Sequence, residues 1–182
     1  PALATGIPAP PQVAAPGPIV CVPKAAAAEY AARRNDPTWI GSLPPFLMPG
    51  LPPGSYRLFE VPDGSMAPRF GAGDRVLCRH TPRPEELHDG QPCLLLAEGE
   101  GLLLRRVVNR IHRSGSLLLL ADNPGEAPGL LELPASNLLE LWAVVYVISS
   151  DLAPPAPQVY GKIADLEQQL RALTQGARHH QP

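Results

Sequence analysis

Between residues 56 and 149 the chain alternates between short apolar runs and turn sequences. Within DRVLCRH, apolar and polar positions alternate so that Val76 and Cys78 fall on one face. This period of two is typical of a β-strand with one buried face. Several such strands at regular spacing predict a mainly β domain, with a curled β-sheet or partial barrel. The predicted strands are 56–61, 74–80, 91–97, 101–111, 116–122 and 139–149.

Leucine-rich runs leave some of these segments ambiguous, because leucine is a good helix former. Turn sequences such as EGEG and SGS flank the runs, and each run is too short for a stable helix, so we expect strands. Upstream, residues 19–30 are predicted to be extended, and residues 33–55 have turn chemistry throughout. Residues 65–71 are predicted to form one short helical turn.

The last apolar pattern is helical. Alternating spacings of four and three residues predict a C-terminal α-helix over 159–176, with about two heptads of an a/d seam. This helix either packs on its own domain or pairs with a second copy as a short coiled coil. The Pro-rich run before it favours the coiled coil, because it detaches the helix from the sheet. The seam consists of Val159, Ile163, Leu166, Leu170 and Leu173.

Proline clusters divide the 182 residues into segments. The chain has 25 prolines, concentrated at 1–18, 44–53 and 153–157. The first residue is Pro1 rather than a methionine, so we expect a fragment that lacks an upstream part. The expected segments are a Pro/Ala-rich linker over 1–19, a β-rich domain over 20–152, a linker over 153–158, the helix, and a tail over 177–182.

Charge and cysteine content narrow the function class. The net charge of −2 gives no basic excess that would mark this piece as a nucleic-acid binder. Three cysteines without metal-ligand spacing predict reduced thiols in the cytoplasm, with Cys78 buried in a strand. No apolar run reaches the roughly 18 residues of a membrane span, and no signal peptide is visible. We expect no cofactor and no metal, and we assign His179-His180 to the tail.

The segment DGSMAPRFGAGDRV, at 63–76, carries the candidate chemistry. A serine hydroxyl becomes a good nucleophile only when a base removes its proton, and a buried lysine can be that base. Backbone N–H groups at a turn must hold the oxyanion. Ser65 is the candidate nucleophile, and Gly64 and Met66 are the candidate turn residues for oxyanion support.

Five ordered blocks carry a family resemblance. FEVPDGSMAPRFGAGDRVLC, HDGQPCLLL, GLLLRRVV, LLLLADNPGEAP and LWAVVYVI resemble the C-terminal domain of LexA-type and phage-repressor-type self-cleaving regulators. The resemblance covers about residues 20–152 and is greatest to bacterial regulators with an XRE-type helix-turn-helix. VPKAAAAEY, NDPTWIGSLPPFLMPG and YRLFEV match their upstream segments. The resemblance implies a LexA/signal-peptidase-like serine peptidase fold.

The family's catalytic residues are only partly matched. Ser65 matches the nucleophile, and Gly73-Asp74 matches a small-loop acid. Arg105 stands where the family has its general-base lysine, and arginine keeps its proton at any working pH. The family's Ala-Gly cleavage bond corresponds to Ala28-Glu29. We therefore expect a domain that keeps the fold and has lost self-cleavage.

Several alternatives remain open at this point. His80, His88 or His112 could activate Ser65, and Arg105 with Arg106 could clamp an anion, although a surface charge pair is favoured. The segment 122–125 is predicted to be a turn, and Trp39 and Trp142 are predicted to be packing residues.

The resemblance implies a regulatory and dimerisation domain of a transcriptional regulator. Its expected partners are a second copy of the chain, DNA through an upstream domain, and an unidentified signal protein or ligand; no membrane association is expected. The alternative is a self-cleaving serine endopeptidase that cuts near Ala28-Glu29.

Overall fold

Nine strands form one sheet in the computed structural model, which describes residues 18–126, 128–149, 166 and 168. The strands are β1 (Ile19–Val22), β2 (Pro45–Phe46), β3 (Tyr56–Glu60), β4 (Arg75–His80), β5 (Gln91–Ala97), β6 (Gly101–Arg110), β7 (Ser116–Leu120), β8 (Leu130–Pro134) and β9 (Leu138–Ile148). The helices are α1 (Ala27–Arg33), α2 (Pro37–Ser42) and α3 (Ile111–Ser114), with 3-10 turns at Lys24–Ala26, Pro84–Glu86 and Ala135–Asn137.

The sheet is mixed, with the order β2-β1-β3-β4-β9-β5-β6-β7-β8. Strands β1 and β3 are parallel, and the other neighbouring pairs are antiparallel. The prediction of a mainly β domain is confirmed. Among the described residues, β2 and β8 end the sheet on its two sides, so the sheet is not a closed barrel.

Strand β9 is shared by two neighbours that are staggered along it. Its first half pairs with β5, where Ala143 lies opposite Cys93, and its second half pairs with β4 as far as Ile148. The connection over 81–90 therefore crosses from one side of β9 to the other. Within the described part of the chain, no strand pairs with 144–148 on the side away from β4.

The core lies on both faces of β5. Leu94 and Leu96 pack in one apolar cluster, whereas Cys93 and Leu95 pack in another on the opposite face. Burial on both faces removes the need for polar positions, which explains why the leucine runs lack the usual alternation. Trp39, Trp142 and Cys78 are buried in the first cluster, as predicted.

The segment 19–30 is not extended throughout, so that prediction is wrong beyond Val22. The strand β1 ends there, and α1 covers Ala28 and Glu29. Alanine favours helix, and Glu29 forms an ion pair at 2.9 Å with Arg33 one turn later. These local preferences explain the helix.

The segment 33–55 also contains more than turns. Helix α2 begins after Asp36, whose Oδ1 accepts hydrogen bonds from the N–H groups of Thr38 and Trp39 at 3.0 and 3.1 Å. Pro37 stands at the first helical position, where its missing N–H costs nothing. Asp36-Pro37, within the segment predicted to form turns, is thus a helix start.

Residues 65–69 form one turn, and the hydrogen bond from the Phe70 N–H to the Met66 carbonyl at 3.0 Å has the spacing found in an α-helix, so the predicted short helical turn is present. Strand β8 was not predicted, because its leucines stand between Gly129 and Pro134, where turn signals mask a strand.

The remaining sequence predictions lie largely outside the described residues. These are the linker over 1–19 apart from its last two residues, of which Ile19 begins β1, the linker over 153–158, the heptad seam apart from Leu166, and the tail with His179-His180. Leu166 and Gln168 are helical. Contacts divide the chain into two compact units, Pro1–Ser149 and Ser150–Pro182. None of the helices in the described ranges is long and apolar enough to span a membrane.

Candidate functional site

The structure brings Ser65 and Arg105 together although they are 40 residues apart. Ser65 lies in the loop between β3 and β4, and Arg105 lies on β6. Arg105 Nη1 donates a hydrogen bond to Ser65 Oγ, and it donates a second to the carbonyl of Leu104 at 2.8 Å. Ser65 is fully buried and Arg105 is 8% exposed, so the pair is largely shielded from solvent.

Asp63 completes this group of three polar side chains. Its Oδ1 accepts a hydrogen bond from the Ser65 N–H at 2.9 Å and another from the Ser65 hydroxyl. Arg105 Nη1 lies 3.4 Å from Asp63 Oδ2. Partial burial acts to raise the pKa of Asp63, but the hydrogen bonds from Ser65 and the charge of Arg105 outweigh it, so the pKa is lowered. We call Asp63, Ser65 and Arg105 the serine cluster.

Asn123 holds the serine loop in place from the turn after β7. Its backbone N–H donates to the Ser65 carbonyl at 2.8 Å, and its Nδ2 donates to the Gly64 carbonyl at 3.0 Å. Asn123 Oδ1 accepts from the Gly125 N–H at 3.0 Å, which is an Asx turn. The predicted turn at 122–125 is therefore present, and it also buttresses the loop that carries Ser65.

Arg106 points away from the serine cluster. It forms two hydrogen bonds with the carboxylate of Asp122, at 2.6 and 2.7 Å, and a third with the Gly90 carbonyl at 2.9 Å. The two neighbouring arginines thus have separate partners and do not converge on one anion. The favoured interpretation of a surface charge pair is wrong for Arg105, which is buried and hydrogen-bonded to Ser65.

The other family-matched positions in this loop have structural contacts. Asp74 is buried, and its Oδ2 accepts from the Gly71 N–H at 2.7 Å, which closes the small loop. Met66 is fully buried in the apolar cluster under the sheet. Gly64 uses its carbonyl to accept from the Ala67 N–H at 3.1 Å. The described bonds of Gly64 and Met66 are those of a turn, and an oxyanion role for them stays a prediction.

Ala28 and Glu29 are held in a helix that packs against β6. No described hydrogen bond joins this pair to the serine cluster. The helix is anchored by Tyr30, whose hydroxyl donates to Glu140 and accepts from Arg57. A peptide bond inside such a helix is unavailable for attack, because the helical backbone cannot lie extended across a cleft.

The anchor of α1 is a partly buried polar network that the sequence did not predict. Arg57 lies 3.5 Å from the Glu140 carboxylate, which also accepts from the Trp142 Nε1–H at 2.9 Å. The guanidinium of Arg57 stacks over the rings of Tyr30 and Trp142 at 5.2 and 4.9 Å. Burial raises the pKa of Tyr30 above its usual range. The sequence signal that could have indicated this network is the two-residue spacing of Glu140 and Trp142, which places both on one face of a strand.

The histidines proposed as alternative bases lie elsewhere. The ring of His80 packs against Trp142 at 4.9 Å, and His80 and His88 line a cavity beside β9. His112 is on α3. None of the three has a described hydrogen bond to Ser65. Among the described residues, no group of His, Cys, Asp or Glu has the arrangement needed to hold a metal ion.

No protein-family model matches the chain, and a search of curated proteins finds no matching relative. The likeness to LexA-type regulators therefore rests on the sequence motifs.

The chemistry of the serine cluster follows from its donors and acceptors. Arginine carries only donors, so Arg105 stabilises the Ser65 oxygen but cannot remove its proton. A carboxylate with a lowered pKa is a weakened base, which limits Asp63 in the same role. The Ser65 N–H already bonds to Asp63, so it is not free to hold an oxyanion. The cluster holds the loop in place, and its one acceptor for the Ser65 hydroxyl proton is Asp63, a weakened base.

Proposed function

We propose that this chain is the regulatory and dimerisation domain of a LexA-like transcriptional regulator that no longer cleaves itself. In this proposal a helix-turn-helix domain upstream binds DNA, and the present domain pairs two chains. Two-fold pairing suits such a regulator, because symmetric dimers match two half-sites in DNA. The loss of cleavage is supported by the serine cluster, where Arg105 donates to Ser65.

The observation that carries the proposal is the exposed edge of β9. Val145, Tyr146 and Val147 are each more than 40% exposed, in a segment with no described strand partner on one side. Apolar edge strands are templates for pairing with another chain. Antiparallel pairing of this edge with the same edge of a second copy satisfies the free backbone groups of both and generates two-fold symmetry.

A lysine substituted into the exposed edge of β9 tests whether that edge pairs two chains. Val145 and Leu139 are both β-bulge positions of β9 and both 41% exposed, but Leu139 lies outside the segment 144–148 that is proposed to pair. We expect Val145→Lys to weaken self-association at least about tenfold, because an edge lysine opposes strand pairing. We expect the matched Leu139→Lys variant to associate like the original chain.

Sedimentation velocity over a concentration series measures both variants. Circular dichroism checks that each variant keeps the β-rich fold. A chain that is monomeric throughout, or equal weakening by the two lysines, would contradict pairing through the β9 edge.

A further inference from the structure

A cavity of about 500 Å³ lies at the step between β4 and β5 along β9. The connection over 81–90 forms one wall, and β9 contributes Ala143 and Val145. The cavity exists because β5 begins where β4 ends, which leaves one side of β9 uncovered at this level. It does not include any residue of the serine cluster. Its size lies within the range of small-molecule sites.

The cavity wall is rich in groups that attract anions. It contains two arginines, Arg79 and Arg83, and two imidazoles, those of His80 and His88. The only carboxylate among the lining residues is Glu86, which forms an ion pair with Arg83 at 3.0 Å. The whole chain has a net charge of −2, so this concentration of cationic side chains is not a consequence of a basic protein.

Arg79 is the cation without a carboxylate partner. Its one described hydrogen bond runs from Nη2 to the Pro53 carbonyl at 3.4 Å, and no described acid lies within ion-pair distance of it. Arg79 therefore keeps donors available. His80 and His88 offer ring N–H donors in either protonation state, and Thr81 and Gln91 add a hydroxyl and an amide.

The rest of the lining can hold an apolar or aromatic part of a ligand. Leu87, Ala143 and Val145 supply aliphatic surface. The exposed ring of His80 packs against Trp142 at 4.9 Å and offers a flat aromatic surface. Cationic side chains and an apolar surface are thus combined in one cavity.

We propose that this cavity binds a small organic phosphate of nucleotide size. A guanidinium matches the geometry of phosphate oxygens and binds them through paired hydrogen bonds. Two arginines suit a dianion, and the aliphatic surface with the His80 ring suits the organic part. The cavity shares Val145 and the uncovered side of β9 with the proposed pairing edge, so ligand binding and pairing through that edge are expected to compete.

Isothermal titration calorimetry at constant ionic strength tests the site with three probes. AMP carries both a phosphate and a ring, adenosine carries only the ring and sugar, and inorganic phosphate carries only the anion. We expect AMP to saturate one site per chain at about 1 mM or below, and the other two probes to bind at least about tenfold more weakly. Saturation by adenosine equal to that by AMP would overturn the anion site.

Three variants locate the binding. Arg79→Gln is expected to weaken AMP binding about tenfold, because it removes a charge-assisted hydrogen bond. Glu86→Gln is expected to tighten it about threefold, because it frees Arg83, and a gain of affinity cannot come from misfolding. Arg113→Gln, an exposed arginine that does not line the cavity, is the matched control. Equal losses for Arg79→Gln and Arg113→Gln, or no saturable binding of AMP, would overturn the proposal.

Discussion

Three single residues determine whether Ser65 can act as a nucleophile. Ser65 and Arg105 meet as the family resemblance implies, but the third member, Asp63, was not foreseen. Asp63-Gly64 stands directly before the serine, so a carboxylate lies two residues before Ser65, where it accepts hydrogen bonds from both the N–H and the hydroxyl. Asp63 also balances the charge that Arg105 brings into the interior.

Asp63→Asn is expected to destabilise the domain by about 2 kcal/mol near neutral pH, because the buried guanidinium of Arg105 loses a charged partner. The cost is kept below that of a fully buried pair, because the Asp63 side chain is 34% exposed. Urea unfolding of the variant, beside Glu100→Gln as an exposed control without a described ion pair, measures the loss. A destabilisation no larger than that of the control would contradict it.

The pH dependence of unfolding, compared between the original protein and Asp63→Asn, gives a second test of the Asp63 carboxylate. The pKa of Asp63 is lowered from 3.8 by folding, so its stabilising effect is present above 3.8 and is lost as the pH falls through the folded value. The difference in unfolding free energy between the original chain and Asp63→Asn should therefore be constant from about pH 5 upwards and shrink below about pH 4. A difference that grows in acid would show that the carboxylate is not the stabilising form.

At the level of elements, short apolar runs between turn sequences predicted most of the strands. Strand β5 has the predicted bounds, and β4, β6 and β9 differ from theirs by one residue at one or both ends. Strand β8 was missed because Gly and Pro flank it.

Contacts between segments that are distant in the chain could not be predicted from the sequence. The contact of Asn123 with the Ser65 loop joins positions 58 residues apart, and the Tyr30–Glu140 contact joins positions 110 apart. The stagger of β4 and β5 along β9, which creates the cavity, depends on register, and local patterns do not fix register between distant strands. Two of the three members of the serine cluster, Ser65 and Arg105, were predicted from the order of the motifs. The role of Asp63 was not, because it depends on the conformation of the turn that brings its carboxylate to Ser65.

Helix α1 adds a second obstacle to self-cleavage, beyond Arg105. Ala28-Glu29 would have to unwind from the helix before it could reach a nucleophile, and Tyr30 holds the helix on the sheet. Arg105→Lys alone should therefore not restore self-cleavage. Both obstacles are addressed by Arg105→Lys combined with Glu29→Gly, because glycine weakens the helix and removes the ion pair with Arg33.

Intact mass over several days at about pH 7 and about pH 10 tests this argument. We expect the original chain and the single variants to stay whole, and the double variant to be cut near residue 28. Addition of Ser65→Ala to the double variant should abolish the cut, which controls for contaminating proteases. Cleavage of the original chain at this bond would mean that another group activates Ser65 and that the chain is an enzyme.

On the scale of the whole molecule, two elements are candidates for joining two copies. One is the β9 edge in the unit Pro1–Ser149, and the other is the heptad segment in the unit Ser150–Pro182. About two heptads are marginal as an isolated coiled coil. Joined to a second weak contact on the same chain, however, they act at a high effective concentration, so both contacts together bind more tightly than either alone.

Deletion of 158–182 is therefore expected to weaken self-association about tenfold without changing the thermal midpoint of the β-rich unit measured at low concentration. Deletion combined with Val145→Lys should leave a monomer, whereas deletion combined with the matched Leu139→Lys should behave like deletion alone. Sedimentation equilibrium of these chains measures the dissociation constants. Equal dimer strength with and without 158–182 would restrict pairing to the β9 edge, and equal strength with and without Val145→Lys would restrict it to the heptads.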